Sequence, residues 1–377
     1  MTGGLTWMTV LGFLCLAVWT YLFLGHGRYW LSRPELPPAH PAHGPPVDVV
    51  VPARDEAETI EPVIASLLAQ DYPGSFHIFL VDDNSTDGTA RRAGTAATLT
   101  ILKGCPKPPG WSGKMWAVSQ GLAAGTAPLV LLTDADIVHD PRHLSALVAR
   151  LQAADAAPVQ LVTEMVRLNC TSLAERVLVP AFVYFFQMLY PFARVNNPRS
   201  AVAAAAGGTV LVRREALERI GGIESIRGAL IDDVSLAKAV KSHGGAIFLG
   251  HSGLAASIRP YPHFADIWRM VSRTAFTQLR YSAVLLLFTV LALALVWLVP
   301  VWLAVFGQGW QRACGIGACS LAAISYLPTL RRYGRSPAGV FALPLIAVFY
   351  MAATVGSALD HWRGTGARWK NRSYGGG

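Results

Sequence analysis

Charged residues are scarce in this chain of 377 residues. Asp, Glu, Lys and Arg make up 15% of the sequence, whereas hydrophobic residues make up 53%. Soluble proteins contain about 25% charged residues, so the composition excludes an ordinary soluble enzyme. It predicts a membrane protein that is long enough for one large domain or two.

Cysteine is also scarce. The five cysteines form no CxxC pair and show no His/Cys spacing suited to zinc. Cys15, Cys314 and Cys319 lie in apolar runs, and Cys105 and Cys170 stand alone. These features argue against a disulfide framework and against a structural zinc site. They favour a reducing compartment, so we expect the catalytic part to face the cytosol.

Basic residues are in excess, with a net charge of +9, but they form no basic-aromatic nucleic-acid module. They collect beside apolar runs instead, which is typical of anchors at a membrane surface. The clusters are Arg28 and Arg33; Arg269, Arg273 and Arg280; Arg331, Arg332 and Arg335; and Arg363, Arg368, Lys370 and Arg372. We therefore expect a membrane as partner and no nucleic acid.

The N-terminal apolar run, Leu5–Leu24, is about as long as the roughly 20 residues that cross a bilayer. A cleaved signal peptide is the alternative, but no basic residue precedes the run and no convincing small-residue cleavage site follows it. We predict an uncleaved anchor over residues 1–27 with its basic flank in the cytosol. A Pro-rich linker over residues 28–46 follows.

Three further apolar runs, Ser282–Phe306, Ala313–Leu330 and Ala338–Leu359, fill residues 282–360. Each is apolar enough to cross the membrane, but three crossings would carry the basic tail, residues 361–377, to the outside. Basic segments favour the cytosol. We therefore expect one of the three runs to be interfacial or re-entrant, and the short middle run is a candidate.

The middle of the chain, residues 47–262, follows a different pattern. Short runs rich in branched residues alternate with helical patterns such as Ala57–Gln70 and Lys114–Ala124. The predicted strands are Val47–Ala53, His77–Asp83, Leu99–Lys103 and Leu129–Asp136. This alternation predicts an α/β domain with a mostly parallel sheet, buried on both faces. Ligands of such sheets bind beyond the carboxyl ends of the strands.

Polar residues interrupt the apolar runs at those ends. The first strand contains Pro52 and continues into Arg54 and Glu56, and the second ends at Asp82 and Asp83. The helix dipole also favours an acid at a helix start, which gives Glu56 a purely structural alternative. Neighbouring strand residues point to opposite faces, so only one of Asp82 and Asp83 can serve a ligand on a given face. That residue would accept hydrogen bonds from a nucleobase or a ribose.

The segment PPGWSGKMWAVSQG (Pro108–Gly121) is a flexible loop that leads into a helix. Lys114 lies near the helix start, where the dipole disfavours a cation and favours an anion. We interpret Lys114 as a phosphate contact, with an exposed surface lysine as the alternative. Trp111 and Trp116 are expected to pack, although either ring can also contact a sugar.

The stretch TDAD places Asp134 and Asp136 two residues apart at the end of the fourth predicted strand. On a strand both side chains project to one side, and close carboxylates raise each other's pKa unless a cation lies between them. A solvated loop is the alternative. Hard divalent cations use one or two carboxylates together with substrate phosphates. We therefore predict that these residues hold Mg²⁺ or Mn²⁺.

Three later segments complete the candidate site. The paired glycines Gly207 and Gly208 precede a strand-helix unit and allow close backbone approach, with a plain turn as the alternative. Asp232 and Asp233 open an amphipathic helix, with Asp232 as a capping residue and Asp233 as a candidate general base. Arg273 lies on an amphipathic helix over residues 263–281, where it either snorkels to the interface or binds a leaving diphosphate.

Together these motifs resemble those of membrane-bound family-2 glycosyltransferases of the GT-A fold. The matching segments are VVVPARDEAETI, VDDNSTDGT, GWSGKMWA, TDAD, GGTVLVRREAL, IDDVSLA and RMVSRTAFTQLRYS, in the family's order over about residues 45–282. The segments GWSGK, IDDVSLA and RTAFTQLRYS look most like the hopene-associated glycosyltransferases of hopanoid-producing bacteria. Ceramide and carotenoid glucosyltransferases are similar at a greater distance.

The resemblance implies a Rossmann-like GT-A domain with transmembrane helices on both sides, in the bacterial inner membrane. It implies transfer of a sugar, with inversion, from a nucleotide-diphosphate sugar to a lipid hydroxyl, with a hopanoid as the expected acceptor. It also implies Asp233 as the catalytic base and a divalent cation at Asp134 and Asp136. The implied donor-binding residues are Pro52, Arg54, Glu56, Asp83, Lys114 and Arg273, with Asp82 beside them. We assign Trp111, Gly207, Gly208 and Asp232 to the acceptor region.

Two departures from the family pattern concern Arg273. Thr274 follows it in place of Trp, and Met270 stands three residues before it in place of Gln or Arg. Both departures argue against a processive enzyme. The alternatives are a polysaccharide synthase, a transferase acting on another lipid (ceramide, carotenoid or polyprenyl), and an inactive nucleotide-sugar-binding membrane scaffold. The run Val177–Ala193 would be an interfacial helix that meets the lipid, or a buried core helix.

Overall fold

The computed structural model describes residues 7–154 and 157–364, and the backbone of residues 368–369 and 372–373. Lys370 of the predicted basic tail lies outside the described residues. The strands are β1 (Val47–Ala53), β2 (Phe76–Asp82), β3 (Leu99–Lys103), β4 (Leu129–Thr133), β5 (Ile137–His139), β6 (Val159–Arg167), β7 (Thr209–Arg213), β8 (Ala246–Ser257), β9 (Arg368–Trp369) and β10 (Arg372–Ser373).

The helices flank the sheet and follow it. They are α1 (Trp7–Thr20), α2 (Ile60–Leu68), α3 (Thr89–Arg92), α4 (Gly113–Ala124), α5 (His143–Gln152), α6 (Leu173–Leu189), α7 (Phe192–Val195), α8 (Arg214–Arg219), α9 (Asp232–Ser242), α10 (Phe264–Ser272), α11 (Ala275–Gln278), α12 (Ala283–Leu293), α13 (Val299–Phe306), α14 (Trp310–Arg332) and α15 (Leu343–Trp362). Short 3-10 turns lie at Tyr29–Leu31, Ile223–Ile226 and Pro337–Ala342, and π-helical turns at Tyr21–Gly25 and Ala294–Leu298.

Eight strands form one sheet in the order β3-β2-β1-β4-β7-β6-β8-β5. The half that contains β3, β2, β1 and β4 is parallel, with Val51 opposite Leu80 and Val49 opposite Leu131. Strand β7 runs antiparallel to both of its neighbours, and β5 runs antiparallel to β8. The prediction of an α/β domain with a mostly parallel sheet is therefore confirmed.

The sheet is covered on both faces. Every residue of β1 is buried, and its side chains alternate between two apolar clusters, with Val50 in one and Val49 and Val51 in the other. The first cluster continues into α6 and the C-terminal helices. Branched residues in a strand that is buried on both faces explain why β1 reads as one continuous apolar run.

Two predicted element boundaries are wrong. Strand β4 ends at Thr133, so Asp134 and Asp136 lie in a turn that the Ile137 amide closes by donating to the Asp134 carbonyl. The amphipathic helix predicted over residues 263–281 breaks into α10 and α11. At the break, the Ser357 hydroxyl accepts from the Phe276 amide at 3.0 Å.

Five helices in the described part of the chain are long and apolar enough to cross a membrane. They span Trp7–Gly25, Leu173–Val195, Ala283–Phe306, Trp310–Arg332 and Pro337–Trp362. The middle C-terminal helix has 23 residues, so it is longer than the sequence pattern predicts. The Leu173–Val195 helix is the most buried of the five, and it packs between the sheet and the other apolar helices. This burial agrees with the core-helix alternative.

Helices α1 and α14 lie side by side and point the same way. Gly12 faces Cys314 at one end, and beyond the other end the Ser32 hydroxyl lies 3.4 Å from that of Thr329. The linker that follows α1 is held to the sheet, because the Leu36 amide donates to the His251 carbonyl at 2.7 Å. The C-terminal end of α14 therefore lies beside the catalytic domain.

Helix α15 starts and ends on that same side. It begins just after α14 ends, and its C-terminal part packs where α12 begins: Ala358 clusters with Phe276 and Leu286. The His361 ring also stacks on Tyr281 at a centroid distance of 4.5 Å. Among the three C-terminal apolar helices, α15 is thus the one whose two ends both face the catalytic domain.

Candidate active site

The carboxyl ends of β1 and β2 are tied together by hydrogen bonds between the loops that follow them. The Asp55 amide donates to the Ser85 hydroxyl and the Ala57 amide to the Asp87 carboxylate, both at 2.9 Å. The Thr86 amide in turn donates to the Asp55 carboxylate at 2.8 Å. These contacts hold the two acidic strand ends at one edge of the sheet.

The adjacent acids of β2 have different partners at that edge. Arg54 Nη1 donates to the Asp83 carbonyl at 2.6 Å and lies 3.4 Å from the Asp83 carboxylate, which is buried. The Asp82 carboxylate accepts from the Ser85 amide at 3.0 Å and closes its own turn. Asp83 is therefore paired with Arg54 at this edge, whereas Asp82 has a structural bond.

Lys114 joins three elements. Its Nζ lies 2.8 Å from Asp134 Oδ1 and 2.8 Å from Asp232 Oδ2. Helix α4 brings the lysine there, because Ser112 caps the helix by accepting from the Met115 amide at 3.3 Å. Burial alone would lower the pKa of Lys114, but the two carboxylates raise it, so the ammonium stays charged. The capping role predicted for Asp232 is wrong, since its carboxylate binds Lys114 instead.

Asp136 binds a different cation. Arg259 Nε lies 2.5 Å from Asp136 Oδ2, and Arg259 Nη2 lies 2.7 Å from Glu56 Oε1. Asp136 and Glu56 are both buried. Their charges raise the pKa of Arg259, although burial would lower it. Arg259 therefore connects the end of β1 to the turn after β4.

Sequence reasoning missed Arg259. It follows the last strand of the sheet in the stretch SIRPYPHF, outside every motif that points to the site. Its only sequence signal is a basic residue at the end of an apolar strand, at the edge where the carboxylates collect. The Tyr261 amide two residues on donates to Glu175 Oε1 at 2.6 Å. These two contacts fix the segment between β8 and α10.

Asp233 lies at the start of α9, next to the paired glycines. A Cβ atom on Gly207 would lie 3.1 Å from Asp233 Oδ2, so the backbone approach leaves little room for a side chain. Asp233 Oδ1 accepts from the Val234 amide at 2.7 Å. Burial, followed by the charge of Asp232, raises the pKa of Asp233 to about 7. A carboxylate with that pKa can take and release a proton near neutral pH.

One cavity collects six of the predicted site residues. These are Pro52, Lys114, Asp134, Gly207, Asp232 and Asp233. The rest of its wall is mostly apolar: Met115, Val118, Leu132, Val210, Ile223, Ile226 and Leu236. Glu56, Asp83 and Asp136 lie at the same sheet edge through their ion pairs, outside the cavity wall.

The remaining predicted residues lie apart from the cavity. The Trp111 ring packs edge-on against Trp116 at a centroid distance of 5.3 Å, as a packing role requires. Arg273 is exposed at the end of α10, and its side chain has no ion pair or hydrogen bond with any described residue. Gly208 packs on Val166 behind the cavity.

The charges at this edge suit a bound cation. The carboxylates of Glu56, Asp83, Asp134, Asp136, Asp232 and Asp233 outnumber the cations of Arg54, Lys114 and Arg259. Burial, and then the nearby carboxylates, raise the pKa of Asp134 even though Lys114 opposes them. The described residues contain no group of three or more His, Cys, Asp or Glu suited to a metal. Asp134 and Asp136 would therefore hold a cation together with water or substrate phosphate as further ligands.

Comparison with known proteins identifies the family. The family described as "Glycosyltransferase like family 2" matches residues 45–271, more than half of the chain. The match covers the whole sheet and every candidate site residue except Arg273. The chain belongs to this family.

Curated relatives match over shorter stretches. The chain is 35% identical over 108 residues to an uncharacterized glycosyltransferase of Mycobacterium tuberculosis, covering 29% of this chain and 44% of that protein. It is 31% identical over 125 residues to an N-acetylglucosaminyltransferase of Mesorhizobium japonicum, covering 31% of this chain and 28% of that protein. The chain thus spans less than half the length of these relatives.

A solved structure matches over nearly the whole chain. It is a mannosyltransferase from Pyrobaculum calidifontis in complex with GDP-mannose and Mn²⁺, with a TM-score of 0.57 and 21% sequence identity. The superposition covers 94% of this chain and 99% of that one. At this identity the likeness establishes the fold. It confirms the GT-A architecture with apolar helices at both ends.

Proposed function

We propose that this glycosyltransferase moves a sugar from a nucleotide-diphosphate sugar to a hydroxyl of a membrane lipid, with inversion at the anomeric carbon. The observation that carries the proposal is the position of Asp233, with a pKa raised to about 7, in the cavity that also contains Lys114 and Asp134. A proton acceptor thus shares one cavity with an ammonium suited to a diphosphate.

The donor would bind at the acidic edge of the sheet. Asp83, held by Arg54, would accept hydrogen bonds from the hydroxyls or the base of a nucleoside. Pro52 lines the cavity, and Lys114 would contact the diphosphate. The solved mannosyltransferase holds GDP-mannose and Mn²⁺, which supports a donor of this class and a divalent cation. Arg273 keeps its proposed contact with the diphosphate.

Asp134 and Asp136 would hold the divalent cation, Mg²⁺ or Mn²⁺. Each already uses one carboxylate oxygen for an ion pair, with Lys114 and Arg259 respectively. When bound, the cation would offset charge that develops on the departing diphosphate. Lys114 supplies a fixed positive charge to the same group.

Asp233 would act as the base. Its carboxylate accepts the proton of the acceptor hydroxyl while that oxygen attacks the anomeric carbon and the bond from this carbon to the diphosphate oxygen breaks. The nucleoside diphosphate leaves with the electron pair of the broken bond. Attack from the side opposite the leaving group inverts the anomeric configuration. Gly207 leaves room for the carboxylate, and the apolar wall of the cavity limits water.

The lipid acceptor and the membrane location rest on the apolar helices. In this proposal α1, the α12–α13 unit and α14 cross the bacterial inner membrane, α15 lies along its surface, and the catalytic domain faces the cytosol. This arrangement removes the conflict over the basic tail, because only two crossings follow the catalytic domain, and they return α15 and Arg363 to the cytosolic side. The sequence resemblance supports a hopanoid as the acceptor.

The test uses the purified full-length chain in lipid nanodiscs with Mn²⁺ and a panel of radiolabelled UDP- and GDP-sugars. Bacterial lipid extracts with and without hopanoids serve as acceptors. We expect label in the organic phase with one donor and with hopanoid-containing extract. Label in hopanoid-free extract would point to another lipid, and labelled polymer to a polysaccharide synthase. No release of nucleoside diphosphate with any donor would overturn the proposal.

A further inference from the structure

A line of buried polar side chains lies behind the sheet edge, and none of the roles above uses it. His139 ends β5, His143 starts α5 and Glu164 lies in β6, with exposures of 5%, 0% and 0%. His143 Nε2 lies 2.7 Å from Glu164 Oε1, and the two Nδ1 atoms of the histidines are 3.0 Å apart. The line ends at Thr133, directly before Asp134.

Donors and acceptors along this line can be assigned in one direction. The Gly208 carbonyl only accepts, so the Thr133 hydroxyl donates to it at 3.0 Å. That hydroxyl therefore accepts from His139 Nε2–H at 3.1 Å. Nδ1 of the neutral His139 is then bare and accepts from His143 Nδ1–H. One further proton lies between His143 and Glu164. Burial and then the charge of His143 lower the pKa of His139, in agreement with a neutral ring.

The line has the features of a hydrogen-bonded relay and lacks those of a metal site. The Nδ1 atoms of His139 and His143 are hydrogen-bonded to each other. The described residues contain no group of three or more His, Cys, Asp or Glu suited to a metal. Glu164 Oε2 has no hydrogen-bond partner among the described residues. Burying a carboxyl group with an unsatisfied oxygen costs free energy. An apolar residue would stabilise β6 more, so the acid serves something other than packing.

The relay ends where two parts of the active site meet. The Gly208 carbonyl accepts both the Thr133 hydroxyl and the Asp134 amide, the latter at 3.2 Å. The neighbouring Gly207 is the residue that leaves room for Asp233. The orientation of the Thr133 hydroxyl thus affects Asp134 on the cation side of the cavity and Asp233 on the side of the base.

We propose that Glu164, His143 and His139 are positioning residues for glycosyl transfer. They orient the Thr133 hydroxyl towards Gly208, which fixes Asp134 relative to Asp233. The inference rests on the proposed function only in the roles given to those two aspartates.

The first test is hydrogen exchange of the peptide covering β4, the turn and β5 in the full-length chain. Glu164→Met removes the partner of His143, and Thr133→Val removes the hydroxyl. Each should speed exchange in this peptide by about tenfold, the order expected when a buried group loses its partner. Glu164→Gln should stay within about twofold of the unsubstituted chain, because an amide N–H can donate to the bare Nε2 of His143.

Ser145→Ala is the matched control. Ser145 is fully buried on α5, and its hydroxyl donates to the Asp71 carbonyl at 2.5 Å, away from the relay. The Ser145→Ala variant should leave hydrogen exchange in the β4–β5 peptide unchanged. The proposal is overturned if Ser145→Ala speeds exchange as much as Glu164→Met, if Glu164→Gln behaves like Glu164→Met, or if neither relay variant changes exchange.

Two further measurements separate positioning from folding. Nitrogen NMR of histidine-labelled chain should show His139 as the Nε2–H tautomer, and the Nδ1–H tautomer would overturn the assignment. In the transfer assay, Glu164→Met should raise the Mn²⁺ concentration for half-maximal rate by about tenfold, whereas an unchanged value would overturn the positioning role. Exchange and NMR need no donor, cation or acceptor. A relay that behaves as stated in a chain that transfers no sugar would contradict the proposed function alone.

Discussion

Lys114 Nζ lies 2.8 Å from Asp232 Oδ2 and at the same distance from Asp134 Oδ1. One ammonium thus joins the start of α4, the turn after β4 and the start of α9. A diphosphate entering the cavity would compete with both carboxylates for this ammonium. Donor binding would then release Asp134 towards the cation, so donor and cation should bind together.

Lys114→Met tests this exchange of partners. Losing the ammonium should weaken nucleoside diphosphate binding and lower kcat/KM by about 10- to 100-fold, because a charge-assisted contact to the diphosphate is lost. The same change frees Asp134, so Mn²⁺ alone should bind more tightly, measured by electron paramagnetic resonance. The control is Lys238→Met, which removes an exposed lysine from α9. Weaker Mn²⁺ binding in Lys114→Met would contradict the exchange.

The raised pKa of Asp233 predicts how kcat/KM depends on pH. Its pKa is raised to about 7 by burial and by Asp232, and a base must be ionised to act. The value of kcat/KM should therefore rise about tenfold per pH unit below pH 7 and level off above it. Asp233→Asn should lower the rate at least about 100-fold. Asp232→Asn removes the neighbouring negative charge, so the rise should move to lower pH. An unmoved profile would show that another group titrates.

The same raised pKa predicts how stability depends on pH. The ordinary value is 3.8 and the folded value is about 7, so between these values the unfolded chain has lost a proton that the folded chain keeps. The free energy of unfolding therefore falls as the pH rises through this window. Asp233→Asn removes this fall. Its Tm relative to that of the unsubstituted chain should be higher at about pH 8 than at about pH 4, measured by thermal unfolding in detergent.

Arg259→Met should destabilise the catalytic domain. It leaves the buried carboxylates of Asp136 and Glu56 without their shared partner, which costs about 2 kcal/mol when hydrogen bonds to charged groups are lost. Arg259→Lys should recover only part of the lost stability. A lysine restores the positive charge but cannot bridge two carboxylates with a planar group. Arg269→Met is the control, because its pair with Asp266 is exposed on the arginine side and should contribute less than about 1 kcal/mol. If denaturant unfolding shows that Arg259→Met and Arg269→Met lose the same free energy of unfolding, the result would argue against the bridge.

Gly207→Ala should lower kcat more than it changes donor binding. The added Cβ would lie 3.1 Å from Asp233 Oδ2, so the carboxylate must shift, and small displacements of a base are costly in rate. We expect a fall of roughly 10- to 100-fold in kcat. Gly253→Ala is the control, since its Cβ would meet nothing within 4 Å. A near-normal kcat in Gly207→Ala would place the reacting hydroxyl elsewhere.

Much of the fold and of the site could be predicted from sequence. Alternating apolar runs predict β1 to β4, because strands that are buried on both faces need continuous apolar residues. The acids at strand ends stand out, because they interrupt the apolar runs that predict the strands. The Asp134–Asp136 spacing predicts a cation site from sequence, yet the turn that contains both residues depends on a bond that Gly208 makes from far along the chain.

The features that could not be predicted from sequence depend on contacts between distant segments. Arg259 meets Glu56 across 203 positions, and no local pattern marks such a pair. No sequence pattern marks the relay either. His139 and His143 are four positions apart, as on many helices, and Glu164 lies in an apolar strand. The assignment of α15 also required the structure. Its composition equals that of a crossing helix, and only its partners at both ends support the surface position proposed for it.

The course of α15 has a consequence for labelling the molecule. Because its first turn follows α14 and its last turn rests against Phe276 and Tyr281, the chain emerges from it next to the α/β domain. In the proposed membrane arrangement, a fluorescent reporter joined behind α15 would share a compartment with that domain. An impermeant reagent added to intact cells should reach the short connection between Phe306 and Trp310 while leaving such a reporter untouched.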